Sequence, residues 1–189
     1  MALSLETPRL ILREFQPEDW SRVQAYARDP EVVRFQPWGP NSEAETQAYV
    51  ARAMALAAQT PRQAHELAVV FKPSGVLIGG ATLNRDAADS QSAELGYTLH
   101  RLAWGQGLGT ELARRLVDFG FRDLELRRIW AKCRPENVGS YRVMKKAGLR
   151  LEEYLQNDLI VRGRAMDSFL CSITRREWEA ASAGPGKDC

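Results

Sequence analysis

The sequence predicts a single domain of the α+β or α/β class. Short apolar runs typical of strands alternate along the chain with segments whose apolar residues recur at helical spacing. The 189 residues, of which 44% are hydrophobic and 26% charged, suffice for one full core and have the composition of a soluble globular protein. Strands and helices mixed within one compact length favour this fold class. We expect the domain to span residues 1–178 and a flexible tail to follow at 179–189.

The charge balance limits the kinds of partner that we expect, and the cysteine pattern indicates the cellular compartment. The chain has 26 basic and 24 acidic residues and a formal net charge of +2, which gives no sign of a nucleic-acid surface. Glu6 lies in an N-terminus without a long apolar run, and no stretch approaches the roughly 18 apolar residues of a membrane span, so we expect neither a signal peptide nor membrane association. The three cysteines, Cys133, Cys171 and Cys189, are odd in number and widely spaced, which favours a reducing cytoplasm and predicts no disulfide frame and no metal site.

The first third of the chain predicts one strand and two helices. The apolar run at residues 10–15 indicates a strand. Pro17 is suited to the first turn of a helix that ends at about residue 29. Ser42 and Glu45 have the spacing of a capping box, which predicts a second helix from there to about residue 59.

The middle of the chain predicts three strands. They lie at residues 67–71, 76–83 and 93–99, with a turn at 72–75 and a polar loop over 84–92. A glycine pair, Gly79 and Gly80, weakens the second of these strands and indicates a bulge or a close approach of another backbone.

The last third predicts a strand, a short helix and two further strands. Alternating polar and apolar residues at 127–133 indicate a half-buried strand. The helix follows over 137–147 and ends at Gly148 in the left-handed conformation. The remaining strands are expected at 149–156 and 165–174, with a turn or loop at 158–164.

A glycine-rich turn at residues 104–110 joins the strand at 93–99 to a helix expected over 110–121. Leu108, Leu112, Leu116 and Phe119 recur at helical spacing and give that helix an apolar face. Gly105, Gly107 and Gly109 have no Cβ atom, so the N–H groups of the turn and the helix N-terminus can face an anion together. Spacing alone also fits a tight turn without a ligand. The pattern is neither the Rossmann fingerprint nor a nucleoside triphosphate loop.

With a second stretch at residues 137–149, this turn resembles the GNAT acetyltransferases, which move an acetyl group from acetyl-CoA to an amine. The turn resembles the CoA pyrophosphate loop of the family, and the second stretch resembles its Asn-x-x-Ser…Lys-x-Gly-Phe/Leu segment. The usual first loop residue is Gln or Arg, whereas Trp104 stands here. Tyr97 followed by Trp104-Gly105-Gln106-Gly107 is instead similar to the RimJ/RimL branch, the N-acetyltransferases of ribosomal-protein termini. The likeness extends from Thr7 to Trp178.

The resemblance implies a fold and a set of binding residues. The fold would be a central mixed, mostly antiparallel, twisted sheet of about seven strands, with helices on both faces and a splay between the fourth and fifth strands. Acetyl-CoA would be the cosubstrate and no metal would take part. The implied cofactor-binding residues are Tyr97, Thr98, Leu99, Trp104, Gly105, Gln106, Gly107, Leu108, Gly109, Thr110, Asn137, Ser140, Val143 and Lys146. The implied acceptor-binding residues are Phe35, Trp38, Glu94 and Tyr154, although the loop at 35–40 also fits a packed corner.

Acetyl transfer needs a neutral acceptor amine, a stabilised oxyanion and a proton for the leaving thiolate. Glu94 lies where family members often carry a catalytic Glu, so it is the candidate base, with His100 as its rival because histidine titrates near neutrality. Ser140 is the candidate acid, since Met144 occupies the position at which many members have a tyrosine. Ser140 also fits a helix cap or a CoA ligand.

Three further residues enter the catalytic comparison with less support. Tyr141 and Tyr154 are weaker candidates for the acid. Cys133 has no neighbouring base in the sequence, and a buried small thiol is common, so a nucleophilic role is not favoured.

The resemblance implies direct attack of the amine in a ternary complex, most readily by a protein or peptide N-terminal α-amine. A small amine, such as an antibiotic, a polyamine or an amino acid, remains an alternative acceptor. Met144 also leaves open a non-catalytic acyl-CoA-binding module. The oligomeric state stays open between a monomer and a homodimer.

Overall fold

The computed structural model describes residues 2–183. The seven expected strands and four expected helices are present, with ends that differ by a few residues. The strands are β1 (Ser4–Glu6), β2 (Leu10–Glu14), β3 (Ala64–Phe71), β4 (Val76–Arg85), β5 (Ser92–Leu99), β6 (Arg128–Cys133), β7 (Arg150–Val161) and β8 (Arg164–Thr174). The helices are α1 (Trp20–Ala27), α2 (Glu43–Ala57), α3 (Leu108–Arg122), α4 (Val138–Lys146) and α5 (Arg175–Ser182).

All eight strands form one sheet in the order β1-β2-β3-β4-β5-β6-β8-β7. Neighbouring strands are antiparallel except β5 and β6, which run parallel. Their pairing covers only Ser92, Ala93 and Glu94 on β5, opposite residues 128–130 on β6. The α+β class and the mixed, mostly antiparallel sheet that opens between the fourth and fifth expected strands are therefore confirmed. The additional strand, β1, makes the sheet eight strands wide.

The sheet carries an apolar core on each face, and β3 contributes to both. Leu67 and Val69 pack with residues of α3 and α4 on one side. Ala68 and Val70 pack under α1 and α2 on the other side. This period of two follows from the pleat of a strand that is buried on both faces. We call the two sides the α3 face and the α1–α2 face.

At the glycine pair in β4 the structure has both features that the sequence indicated as alternatives, a bulge and a close approach of another backbone. The β3–β4 register shifts where Val69 opposes Gly79 and Val70 opposes Leu77, so Ile78 forms a bulge. A Cβ at Gly79 would lie 2.3 Å from the Thr98 carbonyl oxygen. Only glycine permits so close an approach of β5 at this point.

The loop expected at residues 158–164 is wrong, because the β7–β8 hairpin is longer. β7 continues to Val161, and the turn consists of Arg162 and Gly163, whose φ angles are 52° and 76°. Two consecutive positive φ angles fit a type I′ turn, which Asn-Gly or Asp-Gly usually signals. The Arg-Gly pair gave a weaker turn signal.

Two elements were not expected from the sequence. β1 has only three residues. α5 starts at a capping box of Thr174 and Glu177 and continues to Ser182, so residues 179–182 are helical where a flexible tail was expected. Trp178 fixes α5 by donating its indole N–H to Asp118 at 2.8 Å. The rest of the expected tail, residues 184–189 with Cys189, lies outside the described residues.

Residues 2–183 contain no helix with the length and hydropathy to cross a membrane. The same residues hold no group of three or more His, Cys, Asp or Glu side chains that could bind a metal ion. Cys133 and Cys171 are buried free thiols.

His65 on β3 is a buried titratable group in the core of the α3 face. It is 5% exposed, packs edge-on against Phe119, and has its Nδ1 3.2 Å from the Leu83 carbonyl oxygen. Burial, with a smaller contribution from Arg62, lowers the pKa of His65 from 6.5 to about 4. The fold therefore favours the neutral ring.

We expect the free energy of unfolding to fall as the pH drops from about 6.5 to about 4, since the unfolded chain then binds a proton that the folded chain excludes. The full effect is on the order of 3 kcal/mol. Urea unfolding at pH 7 and pH 4.5 measures it, and His65→Gln, which retains a donor for Leu83, should lose less stability than the parent over that interval. Equal losses in the two proteins would contradict this account of His65.

Candidate active site

The glycine turn connects the end of β5 to α3 through a short 3-10 turn at Arg101–Ala103. Gly105 and Gly107 have φ angles of 74° and 77°, which side-chain-bearing residues rarely adopt. Gly107 is the N-cap of α3, so the helix begins at Leu108, two residues earlier than expected. The turn and the first N–H groups of the helix meet at one point, as an anion site requires.

The side chain of Arg9 braces this turn from the start of β2. Its Nη1 donates to the Gln106 carbonyl oxygen at 3.0 Å and its Nε donates to Glu111 at 2.7 Å. The Thr7 hydroxyl donates to the same carboxylate at 2.6 Å. Desolvation alone would raise the pKa of Glu111, but the bonds from Thr7 and Arg9 outweigh it and hold that pKa below its ordinary value.

Two polar side chains of the turn are also fixed by backbone contacts. The Trp104 indole N–H donates to the Leu99 carbonyl oxygen at 2.9 Å, and the Gln106 side chain donates to the Leu102 carbonyl oxygen at 2.7 Å. Leu99 and Leu108 are buried in the core. Of the expected cofactor residues, these two can therefore offer only their backbone.

The second stretch forms α4 and packs against the start of α3. Asn137 caps α4, since its side-chain oxygen accepts the Ser140 N–H at 3.1 Å. Val143 Cγ2 lies 3.4 Å from the position of a Cβ at Gly109, and Arg114 donates to the Lys146 carbonyl oxygen at 2.9 Å. Gly148 has the expected left-handed φ of 96°.

The splay between β5 and β6 has different chemistry on its two faces. On the α3 face, desolvation raises the pKa of the Tyr97 phenol, and the nearby Ser140 hydroxyl partly opposes this shift. On the α1–α2 face lie Glu94, opposite Trp130 of β6, and Thr98, which accepts a hydrogen bond from Gln36 at 3.3 Å. Glu94 and Ser140 are thus on opposite faces of the sheet at the same opening.

Glu94 is exposed at the point where the two strands part. Desolvation raises the pKa of its carboxyl, Lys132 opposes this shift, and Asp86 and Asp158 reinforce it. The charge of Lys132 is partly balanced by its 2.7 Å ion pair with Asp158. Glu94 therefore stays a more basic carboxylate than an isolated glutamate.

A bulge in β7 brings Asp158 to this ion pair. The β7–β8 register shifts between Leu155 and Leu159, and Asn157 there has a φ of 51°. Asp158 accepts a second hydrogen bond, 2.7 Å, from the Ser168 hydroxyl, which in turn accepts one from the buried Arg134 at 2.6 Å. The structure thus connects the hairpin to β6 beside Glu94, a contact that no local sequence signal indicated.

The loop at 35–40 and the tip of the β7–β8 hairpin meet on the α1–α2 face. Arg162 donates to the Gly39 carbonyl oxygen at 2.6 Å. Phe35 is half-buried in this loop and Trp38 is 37% exposed. Tyr154 of β7 lies instead on the α3 face, because its ring packs on Phe169 of that core and its hydroxyl bonds to Asp167. This predicted acceptor residue is therefore on the opposite side of the sheet from the loop at 35–40.

The other residues that the sequence analysis considered for catalysis make contacts that stabilise the fold. The His100 Nδ1 accepts the Leu102 N–H at 3.1 Å and so caps the 3-10 turn. Burial raises the pKa of the Cys133 thiol to about 12, which keeps it protonated. Tyr141 packs on Phe169, and Met144 is buried.

Comparison with known proteins agrees with this arrangement. A family model described as acetyltransferase (GNAT) domain matches residues 9–150. The chain is 31% identical to the uncharacterized N-acetyltransferase p20 of Bacillus licheniformis, over 93% of this chain and 98% of that one. It is 25% identical to the [ribosomal protein uS5]-alanine N-acetyltransferase of Escherichia coli, over 92% of each chain. The structure superposes on a GNAT-family acetyltransferase of Bacillus anthracis with a TM-score of 0.83 and 26% identity, covering 92% of this chain and 99% of that one.

Gly107→Val is expected to destroy CoA binding while the protein stays folded. A Cβ at Gly107 meets only Arg9 Nη2 at 3.7 Å, so the protein itself has room for it. The rest of the side chain would occupy the space in which an anion would meet the N–H groups of the turn. Several charge–dipole contacts would be lost together, so affinity should fall by roughly a hundredfold or more.

Gly75→Val in the β3–β4 turn is the matched control. Gly75 has a φ of 65° and nothing within 4 Å of its added Cβ, so the variant carries similar backbone strain without touching the glycine turn. Isothermal titration with CoA should distinguish the two variants. Parent-like CoA affinity in Gly107→Val would contradict the assignment of this turn as the pyrophosphate site.

Proposed function

We propose an acceptor and a set of catalytic roles for this chain, which belongs to the GNAT acetyltransferase family and is therefore an acetyl-CoA-dependent N-acetyltransferase. The acceptor is the N-terminal α-amine of a protein or peptide, and the amine attacks the thioester directly in a ternary complex. The observation that carries the catalytic proposal is the placement of Glu94 and Ser140 on opposite faces of the splay between β5 and β6.

In this proposal acetyl-CoA binds from the α3 face. The turn at 104–110 and the N-terminus of α3 hold the pyrophosphate, because they concentrate free N–H groups and positive dipole at one point. The arm of the cofactor then passes between β5 and α4, beside Tyr97 and Ser140. Beyond Glu94 the facing edges of β5 and β6 are not paired with each other. Their backbone N–H and C=O groups can therefore hydrogen-bond to polar groups of the cofactor arm.

Glu94 acts as the base on the α1–α2 face. An amine must lose a proton to attack, and a carboxylate with a raised pKa accepts that proton better than an ordinary one, directly or through one water. A base with a raised pKa suits α-amines, which titrate at about 8.

Ser140 assists the leaving sulfur on the α3 face. Its hydroxyl donates a hydrogen bond to the thiolate as the carbon–sulfur bond breaks, and the nearby Tyr97 phenol supports that orientation. Hydrogen bonds to charged groups are worth about 1.5–3 kcal/mol, which is enough to accelerate thiolate departure.

The α-amine acceptor is supported by the relative from Escherichia coli, whose name assigns it an alanine of ribosomal protein uS5. A small-molecule amine is the second candidate. The contact between Arg162 and Gly39 favours it, because that contact bridges the α1–α2 face next to the opening and leaves less room for a polypeptide. A screen with acetyl-CoA, a peptide array and an amine library decides between them, and turnover of small amines alone would overturn the peptide proposal.

Glu94→Gln and Ser140→Ala should lose activity with different pH dependence. Glu94→Gln cannot accept the proton, so its rate at neutral pH should fall by about 10²–10⁴-fold and recover partly in alkali, where solution supplies neutral amine. In the parent, the acid limb of the profile should lie above pH 4.5, because the pKa of Glu94 is raised from that value. Ser140→Ala should lose rate across the whole range without comparable rescue.

Saturating kinetics with acetyl-CoA provide the control for both variants. A Ser140 that only binds the cofactor would raise the KM for acetyl-CoA and leave kcat unchanged. A Glu94→Gln profile that overlays the parent would remove Glu94 from the mechanism and leave His100 or a water chain to be tested.

A further inference from the structure

Glu66 is a buried carboxylate on the α1–α2 face that the proposed chemistry does not use. It lies on β3 and is 6% exposed. The Tyr49 hydroxyl of α2 donates to its Oε2 at 2.9 Å. Within residues 2–183 its Oε1 accepts no hydrogen bond and has only a loose ion pair with Arg52 at 4.0 Å.

The negative charge of Glu66 is poorly compensated. Desolvation raises the pKa of Tyr49 and of Tyr26, so both phenols beside it stay neutral. The Arg52 side chain is 61% exposed, and solvent screens its long contact with the carboxylate. A buried carboxylate normally has a close partner, which here is missing on one oxygen.

Small residues separate Glu66 from the base on the same face of the sheet. Glu66 is paired with Thr82 on β4, and Thr82 with Gly96 on β5, two residues from Glu94. Gly96 has no side chain, and a Cβ there would lie 2.7 Å from the Thr82 hydroxyl. From strand spacing and rise, the Cα atoms of Glu66 and Glu94 are about 12 Å apart.

A second glycine, Gly80, lets the two tyrosines pack closely on the sheet next to the carboxylate. Gly80 lies beneath the hydroxyls of Tyr26 and Tyr49, which would be 3.1 Å and 3.6 Å from a Cβ there. The small residues between Glu94 and Glu66 are therefore Thr82 and Gly96, and a chain of methylene groups can follow them. Because a carboxylate lies at each end of this path, the path suits a ligand with a positive charge at each end.

We propose that Glu66 binds a second cationic group of the acceptor, while the reacting amine lies at Glu94. This inference rests on the proposed function, and it narrows the acceptor to a molecule with two amine-type charges separated by an extended linker. An α,ω-diamine or polyamine has this chemistry, and so does a peptide with a basic side chain close to its N-terminus.

The first experiment compares matched acceptors with the parent enzyme. Diamines of four to ten carbons are each paired with the monoamine of equal length, and Ala-Lys-Ala-amide is paired with its norleucine analogue. Acetylation is followed by thiol release, and binding of the same compounds to the CoA-saturated protein is followed by calorimetry. We expect the dication of each pair to have the lower KM, with an optimum in diamine length. Comparing the diamines with the peptides shows whether the second charge belongs to a small amine or to a basic side chain of a peptide.

The second experiment uses three variants. Glu66→Gln keeps an acceptor for Tyr49 but loses the charge, so the preference for dications, in kcat/KM and in affinity, should fall by roughly tenfold or more. Tyr49→Phe removes the hydrogen bond and keeps the charge, so it should retain the preference. Glu43→Gln, in the exposed first turn of α2, removes an equal charge elsewhere and should also retain it.

The outcomes separate this inference from the function on which it rests. Acetylation without a preference for dications in the parent overturns the inference and leaves the proposed function intact. A charge-dependent affinity that Glu66→Gln abolishes, without turnover of any amine, supports the site and overturns the proposed catalytic roles. An equal loss of preference in Tyr49→Phe and Glu66→Gln overturns the inference, because Glu66 would then serve only to anchor α2.

Discussion

The short parallel pairing of β5 with β6 is the constraint on which the candidate site depends. Parallel strands need a crossover connection, and here α3 provides it. The crossover starts at the end of β5, where the two strands have already parted, so the N-terminus of α3 lies at the mouth of the opening. A helix N-terminus, two unpaired strand edges and side chains from both faces of the sheet are thereby brought together. A longer pairing would close the gap between Glu94 and Ser140.

The glycine turn at that mouth needs support from a distant part of the chain. Glu111 lies in the first turn of α3, where the helix dipole favours a carboxylate but where its charge would also repel a phosphate. Arg9 and Thr7 bind that carboxylate, and Arg9 also binds the Gln106 carbonyl oxygen. The Arg9 side chain therefore balances the negative charge of Glu111 and also fixes the turn. The β1–β2 connection therefore supports the candidate anion site, although β2 lies three strands away from β5 in the sheet.

The sequence predicted those parts of the fold that have local causes. The capping box at Ser42, the left-handed Gly148 and the apolar stripe of α3 each act within a few residues, and each is present. The features that sequence reasoning missed have non-local causes. Arg9 and Glu111 are about a hundred positions apart, and β1 is too short to show a pattern. Residues 158–161 form a strand because β8 pairs with them. The bulge at Asn157 interrupts the alternation of side chains between the two faces, so the sequence did not show a strand there.

The two sides of the opening are built in different ways, and this difference bears on how specificity arises. The α3 side consists of backbone N–H groups, glycines and a brace that bonds to main-chain atoms, so few substitutions are compatible with it. The α1–α2 side is assembled from side chains on separate elements: Gln36 contacts β5, Arg162 reaches Gly39, and Lys132 binds Asp158. These contacts cross between loops, hairpin and sheet without entering the cores. Substitutions among them can change the shape and charge of the α1–α2 side while the α3 side keeps its backbone geometry, and the two stretches that resemble the family motifs lie on the α3 side.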